Sequence, residues 1–431
     1  MRRHRERPYA GHGRRHGSQS RSRYAVALMR ALLVENIHPG AAALFERAGY
    51  EVDTIPHAPE EPELIKRVAD VDVLGIRSGT HVTEAVLETS PMVVIGAFCI
   101  GTNQIDLEPT RRRGVAVFNA PFSNTRSVVE LVIAEIISLS RRLTPKDRDM
   151  HAGHWDKSAV GSHEVRGRRL GIVGYGNIGS QLSVLAESMG MSVLFYDTAD
   201  RLALGNARRC ATLDQLLSEV DVVTLHVDGR PTNRGLFGES ELARMRPGSL
   251  FLNLSRGFVV DHAALARHLR SGHLAGAAVD VFGEEPRSRD EPFLSELRGL
   301  DNVILTPHVG GSTEEAQADI GQFVAHKVVE FVRSGSTALS VNFPNLELPE
   351  HAGAHRLMHL HSNVPGVLAA VNAIFAEHQV NVEGQFLATR GDLGYVITDV
   401  AKAPAPDMLA NLAAMEATVR LRLAGCPVRD G

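Results

Sequence analysis

Cysteine is nearly missing from this 431-residue chain, and Cys99, Cys210 and Cys426 stand far apart without the spacing of metal ligands. That excludes a disulfide-stapled scaffold and fits a reduced, cytoplasmic setting; no metal site is expected. Long apolar runs are lacking too. The best candidate, Val128 to Leu139, is broken by Glu130 and Glu135, so neither a bilayer-spanning helix nor a membrane partner is expected. Aromatic residues make up only 5% of the chain, and tryptophan occurs once, at Trp155. Excess positive charge is confined to the N-terminus. The net charge is −4, yet residues 1–26 hold eight arginines against Glu6 alone, a balance of +7 that leaves the remainder near −11. An acidic body argues against nucleic acid as a partner.

What is present suffices for real cores. Apolar residues make up 44% of the chain, and its length suits two or three domains. Residues 1–28, rich in Arg, His, Gly and Ser, have almost nothing to bury and are expected to form a disordered basic tail. Such a tail suits polyanions or a targeting peptide, but no apolar helix face accompanies the arginines, and ordered structure is expected to begin near Met29. From Arg30, apolar runs at 31–34, 71–76, 93–96 and 115–118 alternate with helical segments such as Ala41 to Ala48. This alternation predicts an α/β lobe with a parallel sheet and crossover helices. A long helix is predicted from near Asn124 past Ile137, and strands at 221–227, 249–254, 275–282 and 302–307 predict a second doubly wound lobe. Ser312 and Glu315 have capping-box spacing for a helix running to about Val332 and returning to the first lobe. Residues 334–355, rich in Ser, Gly, Pro and Asn, read as a linker. Beyond them, Arg356 to Leu423 reads as a ferredoxin-like βαββαβ unit that needs a partner to cover one sheet face. The expected division is 29–124 with 312–340 as the first lobe, 125–311 as the second, 341–354 as linker and 355–424 as a C-terminal domain.

One stretch organises the chain: RLGIVGYGNIGSQLSVLAESMGMSVLFYD, residues 169–197. It reads strand, glycine turn, helix, strand. Gly174 permits the tight turn, Gly176 leaves room for a pyrophosphate near the backbone, and Gly179 lets the helix lie close on the strand. The helix N-terminus offers free N–H groups and the positive end of its dipole to phosphates. Asp197, 18 residues after Gly179, is placed to bond ribose hydroxyls and to repel a 2′-phosphate, so NAD is expected rather than NADP.

Three residues stand where later strands end: Arg256 after FLNLS, Glu285 after AAVDVF, and His308 after VILTP. Ligand crevices of open parallel sheets lie outside the carboxyl ends of strands, so these loops can converge beside a nicotinamide. Each has a role in hydride transfer to or from a 2-hydroxy acid. Arg256 can grip a carboxylate bidentately. His308 can exchange the hydroxyl proton, and Glu285 beside it would orient the ring and favour the imidazolium.

The motifs Gly174-Tyr175-Gly176-Asn177-Ile178-Gly179, Ser255-Arg256-Gly257, Asp280-Val281-Phe282 with Glu285-Pro286, and Thr306-Pro307-His308-Val309-Gly310-Gly311 resemble the D-2-hydroxyacid dehydrogenase family. Ile100-Gly101-Thr102-Asn103-Gln104 and residues 119–127 narrow the resemblance to its phosphoglycerate-oxidising branch, in the shorter bacterial and fungal form. It covers nearly everything from Met29 to Leu423. The resemblance implies NAD-dependent oxidation of 3-phosphoglycerate to 3-phosphooxypyruvate, the first step of serine synthesis, with 2-oxoglutarate as a second substrate for reduction. Arg256, Glu285 and His308 match the catalytic residues. Tyr175, Asn177, Ile178 and Asp280 join the three glycines and Asp197 as cofactor-binding candidates. Arg77 and Ser78 match the substrate loop, Arg77 for the phosphate; Asn124 and Lys157 are further substrate candidates, Lys157 across a subunit boundary. Where Gly79 stands, the family pattern has a second arginine. The C-terminal unit resembles an ACT regulatory domain. By resemblance it pairs between subunits of a homo-oligomer, a tetramer, and binds L-serine through His361 and Asn363, with Asn381 from the adjoining subunit. Two other readings stay open: a dehydrogenase for another D-2-hydroxy acid such as 2-hydroxyglutarate, and a dinucleotide-sensing corepressor-like binding protein, which would share the fold and the same Arg, Glu and His.

Overall fold

The computed structural model describes residues 29–286, 290–348 and 355–424. The basic tail at 1–28, residues 349–354 of the expected linker, and Cys426 lie outside the described residues.

Five strands, β1 (Arg30–Leu33), β2 (Glu51–Thr54), β3 (Val73–Ile76), β4 (Val94–Ala97) and β5 (Ala116–Asn119), form a parallel sheet in the order β2-β1-β3-β4-β5. Helices α1 (Pro39–Arg47), α2 (Glu61–Arg67), α3 (Glu84–Glu88) and α4 (Leu107–Arg112) cross between them. β3 and β4 are buried throughout, as strands covered on both faces must be, and their uninterrupted apolar runs reflect it. β2, with the sequence EVDT, lies at the sheet edge with no fully buried residue. It has no apolar face to show, which is why its pattern passes for loop.

The second lobe is built from α5 (Thr125–Arg141), α6 (Leu143–His151), β6 (Arg169–Val173), α7 (Asn177–Ser188), β7 (Ser192–Tyr196), β8 (Arg208–Arg209), α8 (Leu213–Glu219), β9 (Val222–Leu225), α9 (Glu239–Arg244), β10 (Ser249–Asn253), α10 (His262–Arg270), β11 (Leu274–Val279) and β12 (Val303–Leu305). Its seven parallel strands run β12-β11-β10-β9-β6-β7-β8. Winding reverses between β6 and β9, which places the ligand crevice outside the carboxyl ends of those two strands.

Helix α11 (Glu314–Ser334) returns to the first lobe, where Ile320, Val324 and Val328 share a core with Phe45, Val94 and Phe118. Its N-cap is Thr313, whose hydroxyl accepts the Ala316 N–H at 3.2 Å, one residue after the expected Ser312; the Ser–Glu capping box does not form. The segment after α11 differs from a free linker. Asn342 is 3% exposed, its Oδ1 accepting the Val117 N–H at 2.9 Å and its Nδ2 donating to the Val115 carbonyl at 2.8 Å. Polar composition misled here because one buried, fully bonded side chain pins the strand-like segment to β5.

The C-terminal unit, β13 (His355–Ser362), α12 (Val367–Glu377), β14 (Val382–Arg390), β15 (Leu393–Val400), α13 (Pro406–Ala413) and β16 (Thr418–Leu423), has the antiparallel order β14-β15-β13-β16. One sheet face packs on its own helices through Leu357, Val371, Phe375 and Met408. The other face was expected to await a partner. Instead Met358, Leu360, Tyr395 and Ile397 join Phe331 and Phe343 of the first lobe in one core. Polar ties flank it: Arg356 bonds Asp399 at 2.7 and 2.8 Å and the Ser334 carbonyl at 2.9 Å, and the Tyr395 hydroxyl donates to the Gly335 carbonyl at 2.8 Å.

Candidate active site

The glycine turn explains itself in space. Gly174 has φ +93°, and a side chain there would meet the His226 carbonyl oxygen at 2.6 Å. At Gly179 a side chain would collide with the Gly174 carbonyl, so α7 can lie close only with glycine. Gly176 is different: a Cβ there meets nothing within 4 Å, so open space faces the backbone where a pyrophosphate would approach. No side chain caps α7, leaving its first N–H groups free for an anion. These residues fit a dinucleotide. Asp197 directly follows β7, with Oδ2 accepting the Tyr175 N–H at 2.8 Å and Oδ1 the Ala199 N–H at 2.8 Å, while Arg201 stands 3.5 Å away. Tyr175, expected among the cofactor contacts, turns inward instead: it is 2% exposed, stacks on Phe195 at 3.8 Å and bonds Ser183 at 2.6 Å. Its large ring is worth more in the core than against a polar ligand.

A cleft of about 530 Å³ runs between the lobes, lined by Gly101, Asn103, Asn177, Ile178, His226 and Arg256 among others. Sequence reasoning did not single out Asn103 or His226 as lining residues, although His226 directly follows β9, the same strand-end signal that Arg256 carries after β10. Burial holds His226 down to about 3, so its ring is neutral. Cys99, close by, is pushed up to about 11 by burial, which keeps the thiol protonated and unreactive.

Arg256 lines this cleft, while Glu285 and His308 line a neighbouring cavity of about 700 Å³, and the loops that carry the three residues touch. A side chain at Gly257 would fall on the Phe282 carbonyl, so the loop after β10 and the loop after β11 touch backbone to backbone. The Phe282 N–H then donates to Glu285 Oε1 at 3.0 Å, and Glu285 Oε2 accepts from His308 Nδ1 at 2.8 Å. Because a carboxylate only accepts, Nδ1 carries the proton and Nε2 remains for chemistry. His308 itself has φ +54°, a left-handed conformation that costs about 1–3 kcal/mol in a non-glycine residue and is typical of held catalytic groups. The bond to Glu285 raises the His308 pKa against the opposing effect of burial; the Arg256 guanidinium also acts on the ring and lowers it. Burial acts to raise Glu285, but its bonds to His308 and Phe282 and the nearby Arg256 outweigh that and leave it lowered. Arg256, Glu285 and His308 are therefore near enough to feel one another.

Asp280 departs from its expected role. It is 1% exposed, with Oδ1 accepting from the Thr306 hydroxyl at 2.6 Å and the Val309 N–H at 2.8 Å, and Oδ2 from the Gly310 N–H at 2.9 Å. A buried carboxylate with three donors braces the His308 loop rather than facing a cofactor. Asn124 lies against Gly311, and among the described residues its buried Oδ1 has no hydrogen-bond partner.

Residues 133–310 match the model of the D-isomer specific 2-hydroxyacid dehydrogenase NAD-binding domain, and residues 357–420 that of an AHAS small subunit-like ACT domain. The chain is 49% identical over 394 residues to D-3-phosphoglycerate dehydrogenase of Haemophilus influenzae, covering 91% of this chain and 96% of that one. The chain belongs to the D-3-phosphoglycerate dehydrogenase family. Yeast D-3-phosphoglycerate dehydrogenase 1 is 45% identical over 398 residues, covering 89% of this chain and 84% of that protein. Among solved structures, the TT0316 protein of Thermus thermophilus superposes with a TM-score of 0.65 at 28% identity, over 70% of this chain and 96% of its own. Aquifex aeolicus D-lactate dehydrogenase, complexed with NAD and lactic acid, gives 0.62 at 25% identity, over 70% and 95%.

As a dehydrogenase of this family, the chain presents Arg77 and exposed Ser78 on the loop after β3. Lys157 sits apart from the cleft lining, its ammonium 5.7 Å over the Trp155 ring. The three effector candidates do not meet within one chain. His361 is 3% exposed under Gly394, with Nδ1 bonded to the Ser362 carbonyl at 2.9 Å. Asn363 lies at the same end of the sheet, donating from Nδ2 to the Gly391 carbonyl at 3.0 Å. Asn381 precedes β14, at the opposite end, since Val382 pairs with Val400 and Val400 with His355. Among the described residues no helix is long and apolar enough to cross a membrane.

Proposed function

We propose that this chain oxidises 3-phosphoglycerate to 3-phosphooxypyruvate with NAD, opening serine synthesis. The observation that carries the reading is the His308 to Glu285 bond within electrostatic reach of Arg256, which lines the cleft with Asn177 and Ile178 of the glycine-turn unit. NAD, when bound, supplies the nicotinamide carbon that accepts a hydride; Gly174, Gly176, Gly179, Asn177, Ile178 and Asp197 would hold it. Arg256 grips the carboxylate of the hydroxy acid and polarises the neighbouring carbon–oxygen bond. His308 takes the hydroxyl proton at Nε2, and Glu285 stabilises the imidazolium that results. Arg77 takes the phosphate, with Ser78 beside it, and Lys157 adds charge from a second subunit. In the reverse direction the same residues reduce 2-oxoglutarate.

Steady-state rates with 3-phosphoglycerate against unphosphorylated 2-hydroxy acids test this reading. A preference for the phosphorylated substrate is expected; equal turnover would favour the second reading, a dehydrogenase for another D-2-hydroxy acid. Gly79 is the observation behind that alternative, since it leaves the substrate loop one cation short of the family pattern. His308→Ala should abolish turnover and leave NADH affinity intact. NADH binding without turnover of any hydroxy acid would instead indicate a dinucleotide sensor.

We further read residues 29–124 with 312–340 as the substrate lobe, 125–311 as the NAD lobe and 355–424 as an ACT domain in a cytoplasmic homotetramer. Paired ACT domains would bring Asn381 of one subunit to His361 and Asn363 of its neighbour and bind L-serine between them. His361→Ala should relieve serine inhibition, and an unchanged inhibition curve would remove that site.

A further inference from the structure

The first sheet reverses its winding between β1 and β3, the second topological switch point in the molecule, and such points gather ligands outside the strands' carboxyl ends. The chain's own Glu35 fills this one. It follows β1 almost directly, and its Oε1 accepts the backbone N–H groups of Arg77 and Thr80, both at 2.9 Å, while Oε2 accepts that of Gly79 at 2.8 Å. Three donors within four residues converge on one carboxylate, an anion-binding nest of the kind that backbone N–H groups form. Here the anion is built in.

The arrangement is held from several sides. Glu35 and Asn36 both adopt left-handed backbone, φ +63° and +49°, without being glycine. Such strain persists only where surrounding contacts over-determine it. The Glu35 N–H reaches the His57 carbonyl at 3.2 Å, fixing the turn. Gln104, 8% exposed, donates to the Arg77 carbonyl at 2.8 Å, so the backbone of Arg77 is clamped at both its N–H and its C=O. Among the described residues no hydrogen bond or ion pair engages the Arg77 guanidinium. Its backbone is thus held at both polar groups, while the described residues leave its charged tip unengaged.

We propose that Glu35 is a positioning residue for substrate recognition. It shapes the loop at 77–80 so that Arg77 presents its guanidinium to the substrate, and by closing the backbone nest it obliges an anionic substrate group to bind that side chain instead. The proposal rests on the reading of Arg77 as the phosphate ligand. It also accounts for how the loop tolerates Gly79: a Cβ there would already stand 3.0 Å from Glu35 Oε2 and 3.3 Å from Ala58.

The test is a steady-state comparison of the full chain with Glu35→Gln, Glu35→Ala and Arg77→Ala. For both Glu35 variants, KM for 3-phosphoglycerate should rise about tenfold or more, with kcat and NADH affinity changed by less than about threefold, since lost bonds to a charged acceptor act on binding. KM for an unphosphorylated 2-hydroxy acid should hardly move. Acetate should lower the KM of Glu35→Ala, by refilling the nest, and leave the parent unaffected. If Arg77→Ala raises KM while both Glu35 variants match the parent, the proposal is overturned and the phosphate reading survives. If Arg77→Ala has no effect, both fall. Equal losses on phosphorylated and unphosphorylated substrates, or no rescue by acetate, would mark Glu35 as merely structural and overturn the proposal. Should the Glu35 variants not fold, Gln104→Leu probes the same clamp from its other side. A selective KM rise supports the proposal and an unchanged KM overturns it.

Discussion

Gly257 is the point where the loops carrying Arg256 and Glu285, proposed above as catalytic, touch, and replacing it by alanine is the sharpest available perturbation. The added Cβ would land on the Phe282 carbonyl, and both partners are backbone, so no rotamer can relieve the clash. Ordinary van der Waals contact begins at 3.4 Å, so the loops would have to part by more than about 1 Å. Arg256 is the preceding residue, and Glu285 is tied to the Phe282 N–H. The separation therefore carries the guanidinium away from the His308–Glu285 pair. A misplacement of about 1 Å costs roughly 10²-fold in rate, or about 2.7 kcal/mol of transition-state stabilisation. Overpacking costs a further ~1–3 kcal/mol of stability. Initial rates of NAD reduction with 3-phosphoglycerate, NADH titration by fluorescence and calorimetric Tm separate these effects. We expect kcat to fall about 10²-fold and Tm to drop, with NADH affinity nearly unchanged because the glycine turn lies on another strand. Parental kcat in a folded Gly257→Ala protein would refute the view that this backbone contact sets the catalytic geometry.

Other substitutions probe separate terms. Glu285→Gln removes the main influence raising the His308 pKa, and since oxidation needs neutral imidazole, the acidic limb of the pH–rate profile should move to lower pH while the maximal rate falls. The raised histidine also stabilises the fold at acid pH, an effect lost as pH rises through its folded pKa, so the variant should lose stability only on the acid side. Gly176→Ala should leave Tm unchanged, because its Cβ meets open space, yet weaken NADH binding; Gly179→Ala should lower Tm, because its Cβ meets the Gly174 carbonyl. Equal behaviour of the two would contradict the roles given to these glycines. Glu135, 3% exposed and with neither oxygen hydrogen-bonded among the described residues, is raised to about 8 by burial and by Asp280. Its folded form stays protonated while the unfolded chain ionises, so stability declines as pH rises from about 4.5 toward 8. Glu135→Gln should therefore stabilise the protein by about 2 kcal/mol or more at pH 7 and hardly at all at pH 4, read from denaturant unfolding.

Where the sequence was legible, it was because the relevant physics is local. The buried strands at 73–76 and 94–97 show as apolar runs, and the glycine turn with its spaced acid shows as a motif, since sterics there depend on neighbours a few residues away. β2 was illegible because an exposed edge strand carries no periodicity. Tyr175 and Asp280 were misplaced for another reason: both stand inside motifs, but whether a side chain points to ligand or core is decided by Phe195 and Ser183 in one case and by the 306–310 loop in the other.

By itself the amino-acid order determined two α/β lobes, a dinucleotide turn, three candidate catalytic side chains at strand ends and a small βαββαβ unit. Only the tertiary structure decided that the ACT-like sheet docks on the chain's own first lobe, that Gly257 lets two loops meet backbone to backbone, and that Glu35 closes a nest of N–H groups 42 to 45 residues away. The reason is distance along the chain. Secondary structure follows from interactions between near neighbours, whereas a carboxylate meeting a remote loop, or a sheet face choosing its cover, depends on how whole elements are stacked.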